Sequence, residues 1–199
     1  MSMTDIATRR RESPARRRVL DAASALFYAE GIHAVGIDRV IAEAAVAKAT
    51  FYHHFPSKDD LVCAYLREQS DLVRQMTVPA SDTPEDRIIS VFESLGEFTC
   101  GPGFRGCAFV NAAAEYPDPR HPVRAVVADH RAWFRGVLRD LLTAAGHPDV
   151  ERTATMLVLL RDGLVVSGDL DDSEENRALV RETVSRILGG KPKGGARRR

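Results

Sequence analysis

Cysteine is scarce in this chain of 199 residues: it occurs at 63, 100 and 107 only, and no two are spaced as a C-x-x-C pair. An odd number without paired spacing excludes a disulfide framework and a zinc site. Reduced, buried thiols are expected, with a Cys100–Cys107 redox pair across the Gly101-Pro102-Gly103 hinge as the less favoured alternative. No uncharged run reaches the roughly 18 residues that a membrane helix needs. The N-terminus is rich in arginine and has no apolar stretch like that of a secretory leader, so a cytoplasmic protein is expected. The chain also has no internal repeat, no run with strand-like alternation, no glycine-rich phosphate loop and no nucleophile–base spacing. It is therefore read as a non-enzyme with no cofactor.

An excess of one charge is missing overall, with 28 basic residues against 28 acidic ones, but the balance hides a strong division. Residues 1–58 hold nine basic and six acidic side chains, residues 59–190 fourteen and twenty-two, and residues 191–199 five and none. Phosphate would be drawn to the first segment and repelled by the second. The chain divides accordingly into a basic arm over 1–13, a basic head over 14–58, a larger acidic body over 59–190, and a basic tail over 191–199.

What is present is helical period. Val19, Ala22, Ala23, Leu26 and Phe27 make one apolar stripe between Pro14, suited to a first helical turn, and Gly31, suited to a helix end. Arg16, Arg17 and Arg18 cross its first turn, where at least one is expected to face a DNA backbone. Ile37, Val40, Ile41 and Ala44 form the stripe of a second, short helix. After Ala45-Val46-Ala47 a third runs from Lys48 to about Phe55, with Phe51 and Phe55 facing inward. Lys48, Thr50, Tyr52 and His53 remain as hydrogen-bond donors on its other faces. Two short helices joined by a tight turn, the second carrying donors outward, make a helix-turn-helix. Ser57-Lys58-Asp59-Asp60 then opens a fourth helix as a Ser-x-x-Asp capping box, which extends to about Met76.

These residues resemble the tetracycline-repressor (TetR) family. Its pattern reads roughly Thr-x-x-x-Ile-Ala-x-x-Ala-Gly-Val-Ser-Lys-Gly-Thr-Leu-Tyr-x-His-Phe, followed by x-Ser-Lys-x-x-Leu. This chain has Val40-Ile41-Ala42, Ala44, Val46, Lys48, Thr50, Tyr52-His53-His54-Phe55 and Ser57-Lys58-x-x-Leu61. The resemblance covers about residues 15 to 66 and implies a ligand-responsive repressor that binds a palindromic operator as a homodimer. Lys48, Ala49, Thr50 and Tyr52 would address bases, and Tyr52, His53, His54 and Lys58 would hold phosphates. The chain departs from the pattern at Gly36, Ala45, Ala47 and Ala49. Gly36 lacks the hydroxyl of a helix cap, and Ala45 falls where the turn wants positive φ. Ala49 presents a methyl suited to a thymine methyl.

Beyond Pro79–Pro84 the period continues. Ile88, Ile89, Phe92, Leu95 and Phe98 mark one helix, and residues 108–116 a short one. Val123 to Leu142 hold period over five turns, residues 149–168 are apolar nearly all round, and a last helix runs from Ser173 to Leu188. The fold is expected to be all-α, a three-helix head and a larger body, about nine helices together. An all-round apolar helix must be covered on more than one side. That helix and the last one, with its stripe Leu179, Val180, Thr183, Val184, Ile187 and Leu188, are expected to pair with their copies in a four-helix bundle. The resemblance implies a ligand cavity in the body. Its expected lining is Phe92, Phe98, Phe109, Asn111, Glu115, His130, Trp133, Phe134 and Met156. The competing reading keeps Asn111 and Glu115 structural, bonded to backbone or to Arg124 and Arg131, and His130 a satisfied core residue. Glu115, His121 and His130 lack ligand spacing, so no metal is expected.

Overall fold

The computed structural model describes residues 13–77, 83–171 and 173–189. Among them it contains nine helices and no strand. The basic arm, the segment 78–82, the side chain of Ser173 and the basic tail lie outside the described residues.

The chain forms two compact units, one up to Tyr65 and one from Leu66 onward. The division falls inside a continuous helix, seven residues beyond the boundary drawn from the charge balance. In the first unit α1 spans Pro14–Glu30, α2 Ile37–Glu43 and α3 Lys48–His54, and α4, Lys58–Met76, begins there. The stripe of α1 is buried as its period requires: Val19, Leu20, Ala22, Ala23, Leu26 and Phe27 pack inward. Val40, Phe51, Phe55, Leu61 and Val62 complete this core, and Phe27 meets Tyr65 edge-on at 5.8 Å. Each such side chain contributes roughly 1.5–3 kcal/mol by leaving water. Gly31 at φ 92° closes α1, its N–H donating to the carbonyl of Phe27.

The turn between α2 and α3 carries the strain expected of it. Ala45 has φ 49°, the one positive φ among the described non-glycine residues. Neither Gly36 before α2 nor Ala47 before α3 supplies a side-chain cap. Ser57 does cap α4: its hydroxyl accepts from the Asp60 N–H at 3.1 Å and donates to the Asp60 carboxylate at 2.6 Å.

In the second unit α5 spans Pro84–Thr99, α6 Ala108–Glu115, α7 Pro122–Ala144, α8 Val150–Leu170 and α9 Ser173–Ile187. Ile88, Phe92, Phe134, Leu138, Leu142, Leu157, Val180 and Val184 form its core. Thr83, His121 and Asp149 cap α5, α7 and α8 by accepting backbone N–H bonds. α8 divides its apolar surface. Leu157, Val158, Leu164 and Val165 are buried, while Met156, Leu159, Val166 and Leu170 are exposed. The stripe read on α9 is corrected in the same way: Val184 is 0% exposed and belongs to the core of its own chain, whereas Leu179 is 51% exposed.

Candidate nucleic-acid interface and effector-facing cluster

Phe51 and Phe55 bury their rings 6.1 Å apart, which fixes the rotation of α3 about its axis. Lys48, Ala49, Tyr52 and His53 are thereby exposed, with Thr50 half-buried beside them. Tyr52 stands edge-on to Phe51 at 5.2 Å, so its ring is braced although the residue is exposed. His54 is half-buried, and its Nε2 lies 3.2 Å from the hydroxyl of Ser13. Lys58 is half-buried in the first turn of α4, above the Ser57 cap.

Two acidic side chains near these groups gave no signal in the periodicity. Asp38, in the first turn of α2, accepts from Lys48 Nζ at 3.0 Å. The ion pair raises the lysine pKa, first by the hydrogen bond and then by charge. Glu30 takes Arg39 in a two-pronged pair. Both partnerships join residues nine or ten apart across a turn, and only the turn geometry brings them together. The arginines of α1 are likewise engaged. Arg16 lies over the Phe55 ring at 5.2 Å, Arg17 pairs with Asp21 at 2.7 Å, and Arg18 Nε donates to the Ala44 carbonyl at 3.2 Å. Arg16 and Arg18 thereby brace α1 against its own unit as well as adding positive charge.

In the second unit the structure brings together five of the nine residues read as ligand-facing. Phe109 and His130 stack in parallel at 3.7 Å, Trp133 lies 5.4 Å from His130, and Phe134 meets Trp133 at 6.2 Å and Phe92 at 6.4 Å. Of these Phe92 is fully inside the core. Phe98 does not join them: it is 52% exposed at the last turn of α5 and packs edge-on to Phe104. Met156 is 41% exposed on the outer side of α8. Asn111 is exposed, and its amide donates to the Arg105 carbonyl at 2.9 Å, tying the glycine loop to α6. That bond to backbone is the structural role weighed for it. Glu115 is half-buried at the end of α6. Arg124 donates to the Ala113 carbonyl rather than to Glu115.

Ser70 and Arg74 of α4 complete the cluster. Ser70 Oγ lies 3.0 Å from His130 Nδ1 and accepts from Arg74 Nε at 3.3 Å. Burial, then Arg161, Arg74 and Arg131, push the His130 pKa down to about 4. Arg131 holds Asp162 at 2.7 and 3.0 Å, and Arg161 shares the same carboxylate at 2.9 Å while donating to Cys107 Sγ at 3.2 Å. The three cysteines are free thiols. Among the described residues no group of His, Cys, Asp and Glu is arranged to hold a metal ion, and no helix is long and apolar enough to cross a membrane.

Comparison with known proteins identifies relatives over most of the chain. Residues 19–65 match the family described as bacterial regulatory proteins, tetR family, and residues 113–190 match the tetracyclin repressor-like C-terminal domain. The crystal structure of SCO4454, a TetR-family transcriptional regulator from Streptomyces coelicolor, is similar with a TM-score of 0.83 and 43% identity, over 88% of this chain and 95% of that one. A TetR-type regulator of Streptomyces avermitilis is 30% identical with a TM-score of 0.81, over 89% of this chain and 97% of its own. The HTH-type transcriptional regulator Rv1255c of Mycobacterium tuberculosis is 28% identical over 94% of this chain and 92% of its own.

Proposed function

Since this chain belongs to the TetR family of helix-turn-helix transcriptional regulators, we propose that it is a homodimeric repressor released from a palindromic operator by a small molecule. The observation that carries the reading is the rotation of α3. With Phe51 and Phe55 locked inward, Lys48, Ala49 and Tyr52 face out together, on a helix short enough to enter a major groove. Tyr52, His53, His54 and Lys58 supply phosphate contacts that fix register, and Lys48, Ala49, Thr50 and Tyr52 read bases. The exposed apolar side chains of α8 and α9, Leu159, Val166, Leu170 and Leu179, are the natural covering for a second copy of themselves. Such pairing places two reading helices about one DNA turn apart.

α4 runs without a break from the phosphate-facing Lys58 to Ser70 and Arg74 in the body cluster. A ligand received by that cluster changes the setting of this helix and hence the spacing of the two heads. By linkage, operator DNA must weaken ligand binding by the same factor. The test is fluorescence anisotropy with labelled DNA from the region upstream of the protein's own gene, repeated with extract of the native cells. Salt-sensitive binding to one short palindrome, relieved by the extract, is the expected result. Equal affinity for that region and for random DNA of the same length would remove the operator-binding reading.

A further inference from the structure

The body's charge runs against the cluster at its centre. Residues 59–190 are acidic in sum, yet three guanidiniums, Arg74 of α4, Arg131 of α7 and Arg161 of α8, act together on His130. Asp162 is the carboxylate seated among them, and it is already shared by Arg131 and Arg161. His130 adds no negative charge, and Cys107 meets Arg161 as a sulfur acceptor. Around these groups lie flat rings. Arg74 covers Trp133 at 4.9 Å, Arg161 covers Phe134 at 5.9 Å, and His130 is stacked on Phe109. Arg161 is 12% exposed in its side chain, so its charge is largely removed from water, whereas Arg131 is 41% exposed and Arg74 lies open.

We propose that this cluster receives a small aromatic carboxylate as the effector, an inference that rests on the ligand-responsive reading above. A carboxylate answers the uncompensated guanidinium charge with two-pronged, charge-assisted hydrogen bonds, which a neutral molecule cannot match. A cation meets repulsion from all three arginines. The ring of such an acid packs against the half-buried Trp133 and the aliphatic stem of Arg74, whose guanidinium lies over the indole, so that ring and charge are met in one place. The solvent-facing Arg74 and Arg131 mark the side by which an anion arrives. Arg161, with Asp162 and Cys107 holding it in place, is the deeper anchor.

The chain contains a single tryptophan, Trp133, so its emission reports on this cluster alone. Benzoate, phenylacetate and cinnamate are titrated in chloride buffer, each beside its neutral amide, and followed by Trp133 fluorescence and by the melting temperature. The expected result is that at least one acid moves the emission and binds about tenfold or more tightly than its amide, the difference one charge-assisted contact makes. Arg74→Gln and Arg161→Gln should each remove that preference while weak amide binding persists. Where Arg161→Gln does not fold, Arg74→Gln decides. Equal binding of acid and amide, or an emission unmoved by any of the acids at millimolar concentration, overturns the proposal. Release of operator DNA by a neutral compound in the absence of acid binding overturns it too, while leaving the repressor standing. Preferential acid binding by a protein that binds no operator does the reverse.

Discussion

Asp38 holds the ammonium of Lys48 at 3.0 Å, so the first residue of α3 is tied to an acid on the helix before it. A carboxylate so close to the groove opposes phosphate and competes for the lysine. Asp38→Asn should therefore bind DNA about threefold more tightly at low salt, on operator and random duplex alike, with the gain fading as salt rises. Lys58→Ala should lose affinity on both and flatten the salt slope by about one unit. Anisotropy titrations across a salt series measure both. An Asp38→Asn variant with unchanged affinity at every salt would show that Lys48 is not a DNA contact.

The turn between α2 and α3 offers two stabilising changes. Ala45 sits at φ 49°, where a Cβ is strained by about 1–2 kcal/mol. Ala45→Gly relieves that strain but loosens the unfolded chain, for a net gain of about 0.5–1 kcal/mol. Ala47→Ser supplies the missing cap of α3, worth about 1 kcal/mol. Urea midpoints of the two single variants and the double variant test this. A loss of stability in Ala45→Gly would contradict the strain.

Gly168 on α8 and Thr99 on α5 touch where no side chain fits. A Cβ on Gly168 would stand 2.5 Å from that of Thr99, a residue buried and fixed by its bond to the Gly96 carbonyl. Gly168→Ala should cost about 1–3 kcal/mol, because the two helices must separate to admit a methyl. Gly163→Ala, where nothing lies within reach of the new methyl, is the control and should be neutral or better.

His130 sets a pH dependence of defined sign. Its pKa is near 4 in the folded chain against about 6.5 when unfolded. Between those values the unfolded chain binds the extra proton, so stability is complete above pH 6.5 and falls as the pH drops towards 4. Between pH 7 and pH 5 the loss is on the order of 2 kcal/mol. His130→Gln should lower stability at pH 7 and flatten this slope. Urea unfolding of both proteins at the two pH values decides, and an equal slope in the variant would clear His130 of the effect.

A charge on α8 or α9 has opposite consequences on their two faces. Leu159→Glu and Leu179→Glu should leave each chain folded and give monomers that lose operator binding. Val184→Glu should instead prevent folding, since an uncompensated charge would lie inside the chain's own core. Circular dichroism with light scattering separates these outcomes. A folded dimer from both leucine variants would move the interface elsewhere.

The head was largely legible because its signals are local. The stripe from Val19 to Phe27, the phenylalanines of α3 and the Ser57–Asp60 box each involve residues within one or two turns, and each packs or bonds as its spacing requires. The strained Ala45 was equally readable, since a turn of that kind needs a left-handed residue. The body was legible as helices but not as a site. Which face of an apolar helix is covered depends on where its neighbours lie, so Met156 and Phe98, read as walls of a ligand cavity, stand half in water. Asn111 looked like a polar group awaiting a ligand until its loop folded back to offer a carbonyl. Arg131, Asp162 and Arg161 lie up to thirty-one residues apart, and no period predicts their meeting.

The two apolar faces of α8 have a consequence for how this regulator shares a cell with its relatives. One face, Leu157, Val158, Leu164 and Val165, is answerable to the chain's own core, so its residues are constrained by folding alone. The other, Met156, Leu159, Val166 and Leu170, has no such duty within the chain and, in the proposed pairing, answers only to a second copy. Substitutions there alter which chains pair without unfolding any of them. Mixed pairs with a related regulator can thus be refused by a handful of mismatched side chains, each a small penalty against the wrong partner. Fidelity of self-recognition and stability of the fold are then adjustable separately along a single helix.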